Sequence, residues 1–324
     1  MVFPMLPITL LLLTLVNLIQ PPAPSKEAPR PQPRQIQYLD DANPRHQLLL
    51  FQPTGHSPET PLPLVVWVHG GGWMHGSHRT MNSTLASLIQ SDRYVVASIG
   101  YRLTDEELWP AQIHDCKAAI KWLKGNARQI GVDPDRVGVI GASAGGHLAS
   151  MLGTSGGDKL MSGTLGVYHK VDDRVHCVVD FFGPTDLLKM DAQAMDGAKL
   201  IHDAPDSPES RLLGAPLQTV PQLAKSANPI TYVSPDDPPF LIIHGTHDAL
   251  VPYAQSTLLK ESLEEAGVET TLITIEDGGH GGPKFTGIQS RVLDFLDRQL
   301  SGKPTESTPE DAISGEKQEP STAK

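Results

Sequence analysis

Apolar and polar positions divide the chain into three parts. Residues 5–19, MLPITLLLLTLVNLI, form an almost unbroken apolar run. Residues 20–34, QPPAPSKEAPRPQPR, are dominated by proline, and residues 301–324 are polar with almost no large apolar side chains. Between these flanks, short continuous apolar runs alternate with stretches whose apolar residues recur at helical spacing. The first kind predicts strands at 35–39, 47–51, 64–68, 95–99, 136–140, 175–182, 240–244 and 269–275. The second kind predicts helices near 80–90, from Pro110 to about 130, after Ser143, near 253–266 and over 285–300. Pro110 suits a first helical turn, where its missing N–H costs nothing. Asn43-Pro44 reads as a turn between the first two strands, Asp133-Pro134-Asp135 as a turn leading into the fifth, and Gly183-Pro184 as the end of the sixth. Strands alternating with helices predict an α/β fold, a mostly parallel sheet with helices on both faces. No internal repeat is present.

The flanks change the picture at the ends. The run at 5–19 has the length of a signal-peptide core and is short for a membrane span. No Lys or Arg precedes it, and Ala23-Pro24-Ser25 is the nearest small-residue patch. Residues 1–25 are therefore expected to direct export, periplasmic or secreted, with an uncleaved membrane anchor as the alternative. Residues 20–34 read as an extended linker and 301–324 as a disordered tail. One folded domain is expected over 35–300.

Composition excludes some functions. The net charge is −11, from 37 acidic and 26 basic side chains, and basic clusters are lacking. This argues against nucleic-acid binding. The two cysteines, Cys116 and Cys177, fit neither a metal-ligand spacing nor a disulfide framework, and are expected to be buried free thiols. His75 and His78 have no further ligand at a spacing that would complete a metal site. Asp115 and Asp186, at ends of regular elements, read as structural.

The chemistry is concentrated around GASAGG at 141–146, a G-x-S-x-G pattern between a strand and a helix. A serine at so sharp a turn is held with its hydroxyl exposed, and the helix behind it offers free N–H groups to a developing anion. Ser143 is the candidate nucleophile. Such a serine needs a base, an acid that orients the base, and donors for an oxyanion. HGGGW at 69–73 follows a strand directly, and its glycines let backbone N–H groups approach a substrate. The expected donors are Gly71, Gly72 and Ala144, with Trp73 replacing one if the loop is shifted by a residue. His69 reads as a positioning residue. HGTHD at 244–248 ends another strand and supplies Asp248 as the acid; GGHGG at 278–282 follows the last strand and supplies His280 as the base. Asp277 competes for the acid role, but it lies too close to His280 in the same loop to reach Nδ1 from behind. The other histidines, including His244, read as surface or supporting residues. The stretch from Thr185 to Pro239 is an insertion expected over the active site, where it would select substrate.

These motifs resemble the α/β-hydrolase superfamily from about residue 35 to 300. Within it the chain resembles the esterase branch named for a bifunctional feruloyl and acetyl-xylan esterase (BD-FAE-like). It is also similar to hormone-sensitive-lipase-type carboxylesterases. The resemblance is carried by HGGGW (69–73), GYRL (100–103), WPAQIHDCKAAIKWL (109–123), DPDRVGVIGASAGGHLA (133–149), DFFGPTDL (180–187), PPFLIIHGTHDALVP (238–252) and GGHG (278–281). It implies a serine esterase with Ser143, Asp248 and His280 as triad, needing no cofactor or metal. Two departures separate the chain from the hormone-sensitive-lipase pattern. Ala142 stands where that group usually has Asp, and residues 35–68 leave room for two strands but no N-terminal cap. A less covered site implies a bulky or polymeric substrate, such as acetyl or feruloyl esters of plant polysaccharide. Amide hydrolysis of the kynurenine-formamidase type, peptide hydrolysis, and an inert hydrolase fold used for binding are the alternatives. For a prolyl-oligopeptidase-type peptidase, Ala144 stands where tyrosine is usual.

Overall fold

The sheet begins with two antiparallel strands, β1 (Arg34–Gln37) and β2 (Gln47–Phe51), joined through the predicted Asn43-Pro44 turn. These come from a computed structural model that describes residues 32–301. The apolar leader, most of the proline-rich stretch and the polar tail expected from the sequence lie outside the described residues. From β3 (Leu62–Val68) the chain passes through α1 (Ser83–Gln90) to β4 (Val95–Ile99), and then through α2 (Ala111–Gly125) and α3 (Ala127–Ile130) to β5 (Val132–Ala142). Next come α4 (Ala144–Thr154), α5 (Lys159–Ser162) and β6 (Cys177–Phe181). The insertion carries α6 (Met190–Gln193), α7 (Pro208–Leu213) and α8 (Pro221–Ser226). The chain closes with β7 (Phe240–Gly245), α9 (Ala254–Glu265), β8 (Thr270–Ile275) and α10 (Ile288–Leu300).

The eight strands form one sheet in the order β1-β2-β4-β3-β5-β6-β7-β8. β1 and β2 pair antiparallel, as do β2 and β4; every later pair is parallel. Both faces are covered, which is why the central strands read as continuous apolar runs. Along β3 the side chains alternate between two cores. Leu64, Val66 and Val68 pack with α2 and α4 residues, while Val65 and Trp67 pack with residues of α1 and α10.

Three predicted boundaries shift for visible reasons. The Asp133-Pro134-Asp135 turn lies inside β5. Val132 already pairs with Leu62, and the ladder resumes at Leu64 opposite Val137, so residues 133–136 bulge outward. Asp133 holds the bulge by accepting from the Asp135 amide at 3.0 Å and Arg136 Nε at 2.7 Å. The helix predicted from Pro110 to about 130 breaks at Asn126, whose Nδ2 donates to the Trp122 carbonyl at 2.8 Å. Pro110 lies just before the first helical residue. The closing helix starts three residues late, because Gly287 takes a φ of 86° after a short turn at Pro283–Phe285.

Asp115 is structural, as expected. Buried on α2, it accepts from the Arg102 amide at 2.8 Å and from Arg102 Nη2 at 2.7 Å, and lies 3.2 Å from His46 Nε2. Burial alone would raise its carboxyl; the His46 and Arg102 contacts more than offset this and hold it below the ordinary carboxylate value. The cluster joins β2 and the loop after β4 to α2. Both cysteines are free and buried. Among the described residues, no helix is long and apolar enough to cross a membrane.

Asp115→Ala should destabilise the fold by about 3–5 kcal/mol, because it leaves the half-buried Arg102 guanidinium with only Glu107, 4.0 Å away, as a partner. Urea unfolding measures this, and a loss below about 1 kcal/mol would contradict the assigned role.

Candidate active site

The C-terminal ends of β3, β5, β6, β7 and β8 lie along one edge of the sheet, where open parallel sheets carry their sites. Ser143 occupies the single position between β5 and α4. Its backbone sits at φ 58° and ψ −125°, a region that costs a side-chain-bearing residue about 1–3 kcal/mol. Neighbours over-determine this conformation. The Ser143 amide donates to the Phe181 carbonyl at 2.8 Å, and the Ser143 carbonyl accepts from the His147 amide at 2.9 Å. A Cβ on Gly141 would lie 1.9 Å from the Gly145 carbonyl oxygen, and one on Gly145 would lie 2.2 Å from the Val68 carbonyl oxygen. The glycines of G-x-S-x-G are thus demanded by the contact of α4 with β3 and β5. The serine Oγ accepts no bond and donates none among the described residues, and Ser143 borders a cavity of ≈ 520 Å³.

His280 lines the same cavity. Its Nδ1 lies 2.6 Å from Asp248 Oδ2, the acid anticipated in the loop after β7. The other Asp248 oxygen accepts from the amides of Leu250 at 2.8 Å and Val251 at 3.0 Å. A second imidazole shares Oδ2: His244 Nε2 lies 3.2 Å away, while His244 Nδ1 meets Ser256 Oγ at 2.7 Å. Burial would push the Asp248 carboxyl up; the bonds from His244 and His280 reverse this and hold it well below the usual carboxylate range. An ionised carboxylate only accepts, so His280 Nδ1 carries the proton and Nε2 is left as the basic nitrogen. Phe182, at the end of β6, packs its ring against His280 with centroids 4.4 Å apart. Asp277, the competing acid, is exposed and pairs with Lys284 Nζ at 3.2 Å.

The loop after β3 forms the opposite wall. Gly71 accepts through its carbonyl from the amides of Met74 at 3.1 Å and His75 at 3.0 Å, turning the chain tightly. The amides of Gly71, Gly72, Trp73 and Ala144 donate to no acceptor among the described residues, and all four residues border the cavity. His69 stacks on Tyr101 with ring centroids 4.3 Å apart, and the Tyr101 hydroxyl donates to the His69 carbonyl at 2.9 Å. Burial pushes the His69 imidazole down to about 4, so it is neutral. The far end of the loop is held by His147 on α4. Its Nδ1 accepts from Trp73 Nε1 at 3.2 Å, and its Nε2 donates to the Ala227 carbonyl at 2.6 Å. Burial pushes this imidazole down to about 4 as well. The helix behind the serine therefore also fixes the donor loop.

The insertion supplies the remaining wall, with Leu200, His202, Pro208 and Glu209. It is pinned to α9 by Gln255, whose Oε1 accepts from the amides of Thr185 at 2.6 Å and Asp186 at 2.7 Å. Asp186 fixes the loop as expected, accepting from Asn228 Nδ2 at 3.0 Å. Sequence reasoning missed two supports, His147 and Phe182; His244, read as surface or supporting, is the buried second partner of Asp248. His244 carried a signal, a polar residue at the end of an apolar strand and four positions before the acid. His147 and Phe182 carried none beyond their motifs. Among the described residues no cluster of three or more His, Cys, Asp or Glu side chains is arranged to hold a metal ion.

An eight-stranded, mostly parallel sheet with these loops at its C-terminal edge defines an α/β hydrolase. The BD-FAE family profile matches residues 50–263, and the chain belongs to that family. Esterase LipC of Mycobacterium tuberculosis is 30% identical over 249 residues, covering 76% of this chain and 59% of its own. Esterase LipQ of the same organism is 30% identical, covering 74% of this chain and 56% of its own. The chain thus spans little more than half the length of these curated relatives. Among solved structures, a truncated form of a carbohydrate esterase from gut microbiota superposes with a TM-score of 0.75 at 32% identity, covering 85% of this chain and 99% of its own. A bifunctional GH43-CE protein of Bacteroides eggerthii gives 0.73 at 32% identity, covering 81% of this chain and 34% of its own.

The depressed Asp248 carboxyl links the site to acid stability. Folding lowers its proton affinity, so its stabilisation is complete above the ordinary carboxylate range and is lost as pH falls through the folded value. Asp248→Asn should therefore lose less unfolding free energy than the wild type between about pH 5 and about pH 3. Parallel profiles in urea titrations would refute this linkage.

Proposed function

We propose that the chain is a serine carboxylesterase acting through an acyl-enzyme. The observation that carries this reading is the 2.6 Å contact between His280 Nδ1 and Asp248 Oδ2, made at the rim of a cavity that Ser143 shares. With Nδ1 protonated, His280 Nε2 takes the Ser143 hydroxyl proton as Oγ attacks the ester carbonyl. Asp248 stabilises the resulting imidazolium without itself becoming protonated. The tetrahedral oxyanion accepts from the Ala144 amide, at the positive end of α4, and from the amides of Gly71 and Gly72. Collapse expels the alcohol, which leaves with the proton held on Nε2. Water then enters, gives its proton to Nε2, and cleaves the acyl-enzyme by the same steps in reverse.

The substrates proposed are acetyl or feruloyl esters of plant polysaccharide. Support comes from membership of the BD-FAE family and from 32% identity to the gut-microbiota carbohydrate esterase. Apolar side chains such as Met74, Leu200 and Val251 line the cavity beside the serine and suit an acyl group.

Ser143→Ala should abolish nitrophenyl-acetate turnover while the far-ultraviolet spectrum stays unchanged; retained turnover would exclude Ser143 as nucleophile. Asp248→Asn should lower kcat by roughly 10³–10⁴-fold, because His280 then loses its tautomer. Asp277→Asn should stay within about 2-fold of wild type, and reversal of the two effects would move the acid to Asp277. Acetate release from acetylated xylan tests the substrate class.

A further inference from the structure

A second cavity, of ≈ 510 Å³, opens on the other side of the His280 loop, between the starts of α1 and α10. Its wall includes Ala142 and Phe182, which also border the catalytic cavity, and Gly281, the residue after His280. The two spaces therefore share Ala142 and Phe182 as wall. A Cβ on Gly282, which lines the second cavity, would have nothing within 4 Å.

The chemistry of the two cavities differs. The polar groups of the second come from Asn82, Ser83, Ser87, Thr286 and Gln289, and none of the described residues that line it is charged. Trp67 and Phe285 provide aromatic surface beside them. The Ser83 hydroxyl accepts from Gln289 Nε2 at 3.1 Å, which braces the two helices across the opening. Ser87 Oγ donates to the Ser83 carbonyl at 2.9 Å and Thr286 Oγ1 to the Pro283 carbonyl at 2.6 Å, so these hydroxyl oxygens are left to accept from a ligand rich in hydroxyls. The lack of charge disfavours anions and cations alike, and aromatic surface suits the C–H faces of a sugar ring. In acyl transfer, the oxyanion turns toward the backbone donors and the leaving oxygen toward His280 Nε2. The catalytic cavity borders the donor loop at Gly71 and Gly72 and reaches His280; the second cavity borders the same His280 loop further on, at Gly281 and Gly282. The alcohol half of the ester is thus directed toward the polar cavity.

We propose that this second cavity is a subsite for uncharged glycosyl units attached to the esterified sugar. The proposal rests on the sugar-ester reading above and extends it. The enzyme would grip the chain beyond the sugar that carries the ester, and would favour oligomeric over monomeric alcohols.

The test compares kcat/KM for acetylated xylotetraose with that for acetylated methyl xyloside, in the wild type, Ser83→Trp and Gln289→Ala. The wild type should prefer the tetraose ester by about 10-fold or more, mainly through KM. Ser83→Trp, which places an indole in the cavity from an exposed helix start, should bring that preference close to parity; Gln289→Ala should reduce it by a smaller factor. The fraction of folded enzyme cancels in each ratio, so a poorly folding variant still reports. A wild-type ratio near one, or a ratio unchanged in both variants, would overturn the subsite and leave the esterase reading standing. Turnover of nitrophenyl acetate with neither sugar ester cleaved would instead overturn the substrate class, and the subsite with it.

Discussion

The close approach of α4 to β3 and β5 is the constraint on which the site depends. Gly141 and Gly145 remove the side chains that would hold these elements apart. The chain can then pass from strand to helix in a single residue, Ser143, held at positive φ by bonds to Phe181 and His147. One contact sets three functions together. It projects the serine hydroxyl into the cavity, leaves the Ala144 amide free at the helix start, and brings His147 to the tryptophan that ends the donor loop. The strain in the turn is small beside the packing that enforces it, since all eleven residues of α4 are buried.

A second balance governs the acid. Asp248 is buried, which by itself favours the neutral carboxyl. Two imidazoles and two backbone amides keep it ionised instead. The carboxylate then fixes the tautomer of His280, with the proton on Nδ1 and Nε2 left as the acceptor. His244 belongs to this arrangement: it is fully buried, and Ser256 accounts for its remaining nitrogen. Beyond the His280 loop lies a second cavity whose lining, among the described residues, carries no charged side chain.

Much of this was legible in the chain. The strands buried on both faces were readable because continuous runs such as 64–68 and 240–244 have no other stable place. The candidates Ser143, Asp248 and His280 stood out because each follows a strand in a glycine-rich or polar segment. Two of the three boundaries moved where a side chain bonds the local backbone. Asp133 holds a bulge inside β5, and Asn126 ends α2 by bonding back to Trp122. Period alone does not register such local substitutions.

The sequence by itself determined the layered architecture, the order of the candidate triad and the glycine-rich donor loop, because these follow from periodicity and from residue types at strand ends. Tertiary structure decided the contacts themselves: Asp248 Oδ2 meets His280 Nδ1, while Asp277 lies exposed beside Lys284. It also decided that His147 braces the loop after β3 and His244 meets Asp248, and that a second, uncharged cavity shares wall with the one beside Ser143. These properties depend on side chains far apart in sequence, brought together by sheet order. No pattern within a single segment carries that information.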